Sequence, residues 1–230
     1  MKTIGLIGGM SWESSALYYQ VINRKVREAL GGNHSCRCLL LSVDFAEILE
    51  MQHTGEWKLL KHKMIGAAQR LEAGGADMVV LCSNTMHKVA DEIQRYINIP
   101  LIHIVDAAAE EIQRKKLKKL GLLATEFAME GDFLKNRYQD KFGIEIIIPG
   151  KDERKDIHRI IYEESVMGIV NESSKSRLLA IIDNLVKNGA EGIISGCTEI
   201  EIIIRQPDIV VELFETTRLH AELAVRLALG

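Results

Sequence analysis

The 230-residue chain has only four cysteines and three prolines, and its formal net charge is −3. The four thiols (Cys36, Cys38, Cys82 and Cys197) are too few for a disulfide-held scaffold and fall in strand-like segments. Cys36-Arg37-Cys38 lacks the two-to-four-residue gap usual between zinc thiolates, and no histidine pair completes a ligand set, so no metal is expected. The small net charge gives no basis for binding nucleic acid or an anionic membrane. No apolar run approaches the roughly 20 residues of a transmembrane helix. The run from Lys2 into Gly8-Gly9 is too short for a signal peptide, so the expected location is the cytoplasm, where thiols stay reduced. The three-glycine spacing of a dinucleotide-binding loop is missing as well.

What is present is ordinary for a soluble globular protein: 47% hydrophobic and 27% charged residues, over a length that suits one large or two small domains. Thr3 to Gly9 reads as a strand entering a glycine turn, with Ser11 as N-cap of a helix carrying Leu17, Tyr18, Val21, Ile22 and Val26. The turn offers N–H groups to an anion such as a carboxylate, or is only a tight turn. Strands are expected at Cys38–Val43, Met78–Ser83 and Leu101–Val105, the last beginning after Pro100. Between them lie a helix from Trp57 to Gly74-Gly75 and one from Thr85 through Ile97, capped by Asn84 or Thr85. Asp106–Lys119 reads as a helix whose basic end (Arg114, Lys115, Lys116, Lys118, Lys119) is a solvated face.

The pattern then repeats. Gly121-Leu122-Leu123-Ala124 matches Gly5-Leu6-Ile7-Gly8 at an offset of 116 (121 − 5). Met78-Val79-Val80-Leu81-Cys82-Ser83-Asn84-Thr85 matches Ile193-Ile194-Ser195-Gly196-Cys197-Thr198-Glu199 so that Cys197 falls on Ser83 and Thr198 on Asn84, an offset of 114 (197 − 83). Two matches at nearly one offset indicate a duplicated α/β half. The second half reads as a helix with Phe127, Phe133, Leu134 and Tyr138, a strand over Ile144–Ile148 closed by Pro149-Gly150, and helices around Ile157–Met167 and Leu178–Val186. The thiol strand follows, then a helix ended by Pro207, a strand at Val210–Phe214 and a closing helix at Thr216–Leu229. The expected fold class is α/β, with two similar parallel-sheet domains. The expected boundaries are 1–105 plus 208–230 for the first domain and 106–207 for the second.

In open α/β sheets ligands bind beyond the strand ends, which directs attention to Ser83 and Cys197. Side chains alternate along a strand, so Cys82 and Ser83 face opposite ways, and Cys82 reads as core. Cys197 is either a buried core thiol or a catalytic nucleophile or base. Gly196 before it would leave room for a ligand, and the helix start after it would lower the thiol pKa. Two groups on opposite sides of a substrate carbon suggest proton removal from one face and return on the other. Backbone N–H groups around Asn84, Thr85, Thr198 and Glu199 would stabilise the intermediate's charge. His87 is a hydrogen-bonded structural residue or a proton relay. Glu199 orients the thiol or receives its proton, or is only a favourable first-turn carboxylate.

With these residues in view, the chain resembles the pyridoxal-phosphate-independent aspartate/glutamate racemase family over essentially its whole length. The motifs are Gly8-Gly9-Met10-Ser11-Trp12-Glu13-Ser14, Ser42-Val43-Asp44-Phe45, Asn84-Thr85-Met86-His87 and Gly196-Cys197-Thr198-Glu199. The resemblance implies two domains in pseudo-twofold relation, an active site in the interdomain cleft, and a homodimer. It implies amino-acid racemisation by two bases with no cofactor, most readily of aspartate or glutamate. It also implies that Cys197 is the second base and that Met10, Gln52, Asn84, Thr85, Thr125 and Thr198 line the substrate, with Glu199 beside them.

The chain departs from the family pattern at Ser83, where most members carry the first catalytic cysteine. A hydroxyl is a far poorer base than a thiol, whose pKa is about 8.5. The expectation is therefore an asymmetric enzyme, with Cys197 serving one face well and Ser83, through water or His87, serving the other poorly. Val166 and Met167 stand where many relatives have a lysine for the distal carboxylate, which widens the expected substrate range. Glu215 stands where aspartate is usual. A decarboxylase or cis–trans isomerase using one thiol, and a non-catalytic amino-acid-binding protein, are the competing expectations.

Overall fold

The computed structural model describes residues 1–230, which divide into two compact units: Met1–Ile104 with His220–Gly230, and Val105–Leu219. No helix in either is long and apolar enough to cross a membrane.

The first unit holds a four-stranded sheet of β1 (Ile4–Gly8), β2 (Cys38–Ser42), β3 (Met78–Leu81) and β4 (Leu101–Ile102), in the order β2-β1-β3-β4. Every pairing is parallel. β1 and β3 are buried along their whole length, which is why their sequences are unbroken apolar runs, whereas β2 lies at an edge and is half-exposed. The helix Trp12–Leu30 begins at Ser11, whose hydroxyl accepts the Ser14 N–H as expected of an N-cap. Gly9 has φ +89, and a Cβ there would collide with the Val43 backbone, so no other residue fits this turn.

The second unit holds β5 (Lys119–Leu123), β6 (Glu145–Ile147), β7 (Gly192–Ser195) and β8 (Glu212–Glu215), in the order β6-β5-β7-β8, again all parallel. Adding four to each strand label of the first sheet gives the second. The register repeats too: Ile7 pairs with Leu81 and Leu123 with Ser195, at the offsets of 116 (123 − 7) and 114 (195 − 81). Ser83 and Cys197 therefore each lie two residues beyond the last residue of the third strand of their sheet.

The structure corrects several expectations. The strand near Val210–Phe214 does not return to the first unit, because Glu212–Glu215 pairs with β7 and completes the second sheet. Only the chain from His220 onward belongs to the first unit, so the expected boundary at 207/208 moves to 219/220. A helix at Phe45–His53, capped by Asp44, lies between the expected second strand and the helix from Trp57, where no element is expected. The helix after Ser83 is a 3₁₀ turn (Thr85–Val89) followed by a short α-helix (Ala90–Gln94). The segment from Phe127 to Tyr138 is two helices, Glu126–Glu130 and Asp132–Phe142, separated at Gly131. The basic run is not one helical face either. The helix Ile104–Arg114 ends before most of it, and Arg114, Lys115 and Lys119 pair with Glu111, Glu212 and Glu145.

Candidate active site

In the first unit the chain leaves β3 through Cys82 and Ser83. Cys82 is buried with its sulfur toward the Val80 carbonyl, and burial pushes its thiol pKa well up, as suits a core residue. Ser83 is half-buried, and its hydroxyl oxygen accepts the Met86 N–H at 3.4 Å. Ser83, rather than Asn84 or Thr85, is thus the side chain that caps this turn. Asn84 is half-buried and Thr85 buried.

His87 is fixed by two backbone groups. The Ser83 carbonyl can only accept, so Nδ1 of His87 donates to it at 2.7 Å. Nε2 then accepts the Ile104 N–H at 3.1 Å. The imidazole is held neutral with its proton on Nδ1, and neither nitrogen is left for Ser83 Oγ. The relay reading of His87 is set aside in favour of the structural one.

Met10 and Gln52 lie nearby in the same unit. Met10 is part of the apolar cluster that includes Met51, Met64 and Met86. Gln52 is 4% exposed, and its amide nitrogen reaches the Met86 sulfur at 3.4 Å. Its carbonyl oxygen Oε1 is buried with no hydrogen-bond partner. An orphaned buried acceptor costs about 1–3 kcal/mol, a cost that a donor arriving on a ligand would relieve.

In the second unit Cys197 is the N-cap residue of the six-residue helix Thr198–Ile203 and is half-buried. Its thiol donates to Oε2 of Glu199 at 2.8 Å, and the Thr198 hydroxyl donates to the same oxygen at 2.7 Å. Glu199 and Thr198 are both buried. Contrary to the expected lowering by the helix start, the Cys197 pKa is raised well above the ordinary thiol range. Burial is the largest cause, followed by the charge of Glu199 and the hydrogen bond to it. A short helix start does not outweigh a carboxylate at 2.8 Å. Gly196 also has a different role from the one expected. A Cβ there would come within 3.0 Å of Ala124 Cβ, so the glycine admits the neighbouring strand rather than a ligand.

Thr125 caps the helix Glu126–Glu130 by accepting the Ala128 N–H at 3.3 Å. The next N–H, that of Glu126, donates to Nδ1 of His158 at 3.2 Å. The His158 ring lies 4.6 Å from that of Tyr162, on a single π-helical turn (Ile160–Glu164). Tyr162 is held protonated by burial first and then by its acidic neighbours Cys197 and Glu199. His158 and Tyr162 were missed from sequence because they sit in no motif. A π-turn is itself a frequent mark of a functional site but leaves no clear sequence signal. Just beyond, Val166 is half-buried and Met167 is 67% exposed, so neither offers a cation. The turn is anchored by Glu164, which accepts from Ser174 (2.6 Å), Asn171 (2.9 Å) and Arg159 (2.6 Å). No group of three or more His, Cys, Asp or Glu side chains is arranged to hold a metal ion.

A thiol hydrogen-bonded to a carboxylate thus stands at one strand end, and a hydroxyl at the matching strand end of a like-ordered sheet. The chain belongs to the Asp/Glu/hydantoin racemase family, whose family model matches residues 7–224. It is similar to a candidate Asp/Glu racemase from Yersinia pestis, at 45% identity over 100% of both chains with a TM-score of 0.94. It is also similar to an aspartate racemase homologue from Pyrococcus horikoshii OT3, at 34% identity over 100% of both chains with a TM-score of 0.87. Among curated proteins it matches the broad specificity amino-acid racemase RacX of Bacillus subtilis (strain 168), 26% identical over 148 residues. That match spans 63% of this chain and 62% of the length of RacX.

Proposed function

We propose that the protein is an amino-acid racemase that inverts the α-carbon of aspartate, glutamate and a wider set of amino acids without cofactor or metal. The observation that carries this reading is the Cys197 thiol hydrogen-bonded at 2.8 Å to Glu199 Oε2, at the position that Ser83 occupies in the other sheet. Cys197 serves one face of the α-carbon and Ser83 the other. On the Cys197 face, Glu199 takes the thiol proton and the thiolate then takes the α-proton. The electron pair left on carbon spreads into the substrate carboxylate, and the Ser83 hydroxyl gives its proton to the opposite face. Solvent water returns a proton to the serine and takes up the one held by Glu199, since His87 has no free nitrogen for the task. In the reverse direction the serine must act as base, which is the slow half.

Met10, Asn84, Thr85, Thr125 and Thr198 line the substrate in this reading, and Gln52 Oε1 accepts from its ammonium group. The absence of a cation at Val166 and Met167, and the likeness to RacX, support a substrate range beyond acidic amino acids. The family resemblance adds a homodimer and the composition a cytoplasmic location, to be tested by light scattering and cell fractionation.

Enantiomers are equal in free energy, so kcat/KM is the same in both directions and the asymmetry falls on kcat and KM separately. The test is proton NMR in deuterated water with both enantiomers of aspartate, glutamate and several neutral amino acids. Loss of the α-proton signal together with appearance of the antipode supports the reading. Binding without exchange, or CO2 release from disubstituted malonates, overturns it.

A further inference from the structure

Two buried histidines of the first unit, His103 and His220, have no place in the proposed chemistry, yet both lie against His87. The rings of His87 and His103 stand 4.5 Å apart, and those of His87 and His220 5.6 Å apart. His220, on the helix Thr216–Leu229, is 0% exposed and engaged at both nitrogens. The Ile102 carbonyl can only accept, so Nε2 of His220 donates to it at 2.7 Å. In the neutral ring Nδ1 then accepts the hydroxyl of the buried Tyr18, from the helix Trp12–Leu30, at 2.8 Å. What His220 holds is weakly placed by itself. β4 is two residues long, lies at the edge of its sheet and pairs only with β3. Ile102 is its last residue, and two residues on the Ile104 N–H reaches His87 Nε2 at 3.1 Å. His87 Nδ1 in turn donates to the Ser83 carbonyl at 2.7 Å, whereas the Ser83 hydroxyl holds its turn only through the 3.4 Å contact with Met86 N–H.

We propose that His220, backed by Tyr18, is a positioning residue for Ser83, acting through the end of β4 and through His87. The inference rests on the two-base reading above and assigns that reading a residue far from its motifs. The contacts form one line, from Tyr18 to His220, to the Ile102 carbonyl, along the chain to the Ile104 N–H, to His87 and to Ser83. A proton-transferring group must be held to within about 0.5 Å, and a misplacement of about 1 Å costs roughly 10²-fold in rate. Without the His220 donor the end of a two-residue strand loses a tether. Ile104 shifts with it, and the contact that orients His87 behind Ser83 loosens. Every member of this line lies in the first unit, whereas Cys197 and Glu199 belong to the second. Loss of the tether therefore falls on proton transfer at Ser83 and spares proton removal by Cys197.

The test follows each enantiomer of aspartate and glutamate in deuterated water, recording loss of the α-proton by NMR and appearance of the antipode by chiral chromatography. Ser83→Ala sets the reference: it should keep exchange on one enantiomer and lose inversion. Retained inversion in that variant refutes the two-base reading itself. With the reference in place, His220→Leu should lower inversion by on the order of 10-fold to 10²-fold, while exchange on the enantiomer that Cys197 serves stays within about twofold of the wild type. His220→Gln keeps a donor near the place of Nε2 and should recover most of the inversion. Tyr18→Phe keeps the packing, removes the hydroxyl and should lower inversion relative to exchange by a smaller factor. It decides the matter if His220→Leu does not fold. Equal losses of exchange and inversion, an unchanged ratio of the two, or a His220→Gln variant no better than His220→Leu overturns the proposal, because a purely structural role for His220 predicts no selective loss of inversion.

Discussion

The two third-strand ends have the same topology and register but different chemistry. Beyond β3 stands a hydroxyl whose neighbouring histidine is fully occupied by backbone groups. Beyond β7 stands a thiol whose neighbouring carboxylate accepts from it directly. The scaffolding is conserved between the halves even where the residues are not. His87 and Glu201 are related by the same offset of 114 (201 − 87), and both are buried. Each accepts a backbone N–H from the start of the helix after the fourth strand: Ile104 N–H to His87 Nε2 at 3.1 Å, and Thr217 N–H to Glu201 Oε1 at 3.3 Å. A buried acceptor is needed at this place in both sheets, and a neutral imidazole or a carboxyl supplies it. The difference between the halves therefore lies in the acid–base pair, not in the frame that holds it.

The sharpest way to break the comparison is to remove Cys197, the better base in the proposed reaction. Cys197→Ala should abolish α-proton exchange on the face it serves, a loss on the order of 10²–10⁴-fold, with Ser83 unable to compensate. Comparable residual exchange in deuterated water would mean that the two strand ends are not unequal. Glu199→Gln comes next, with a loss on the order of 10²-fold, because the thiol keeps its hydrogen bond but loses its proton acceptor. This variant also carries a pH signature. The Glu199 charge is one cause of the raised Cys197 pKa, so removing it should move the alkaline-rising limb of kcat/KM to lower pH. A limb that stays in place would show that Glu199 does not govern the thiol. Ser83→Cys should make the halves alike, raising the slower kcat by on the order of 10-fold and bringing the two directional turnover numbers together. An unchanged ratio would remove Ser83 from the reaction.

Much of this was legible in the chain because local signals and tertiary structure agree. Buried parallel strands read as apolar runs, Ser11 caps where a hydroxyl before an apolar-periodic run should, and the offsets of 116 and 114 recur as strand register. What was not legible depends on atoms far apart in sequence. The Cys197 pKa is decided by burial and a carboxylate rather than by its place at a helix start. Gly196 is explained by Ala124, just beyond the end of β5, and Tyr162 approaches Cys197 from a turn with no motif. The helix at Phe45–His53 did have a signal, since Asp44 and Glu47 have capping-box spacing, but nine residues carry too little periodicity to stand out.

The smallest effect concerns the frame rather than the chemistry, and it separates Glu201 from its counterpart His87. Burial and then the charge of Glu215 raise the Glu201 pKa from 4.5 to about 8, against the hydrogen bond from Thr217. Between these values the folded protein holds a proton that the unfolded chain has released, so stability falls as pH rises. The contribution is complete below the unfolded pKa and is lost by the time pH passes the folded one. The limiting slope is about 1.4 kcal/mol per pH unit for one proton. Glu201→Gln keeps the acceptor for Thr217 and removes the titration. Urea unfolding at pH 6, 7 and 8 should show a decline in the wild type that is flatter by about 1 kcal/mol per unit in the variant. Parallel slopes for wild type and Glu201→Gln would mean that Glu201 is ionised in the core at neutral pH, and the two acceptors would then differ in charge as well as in kind.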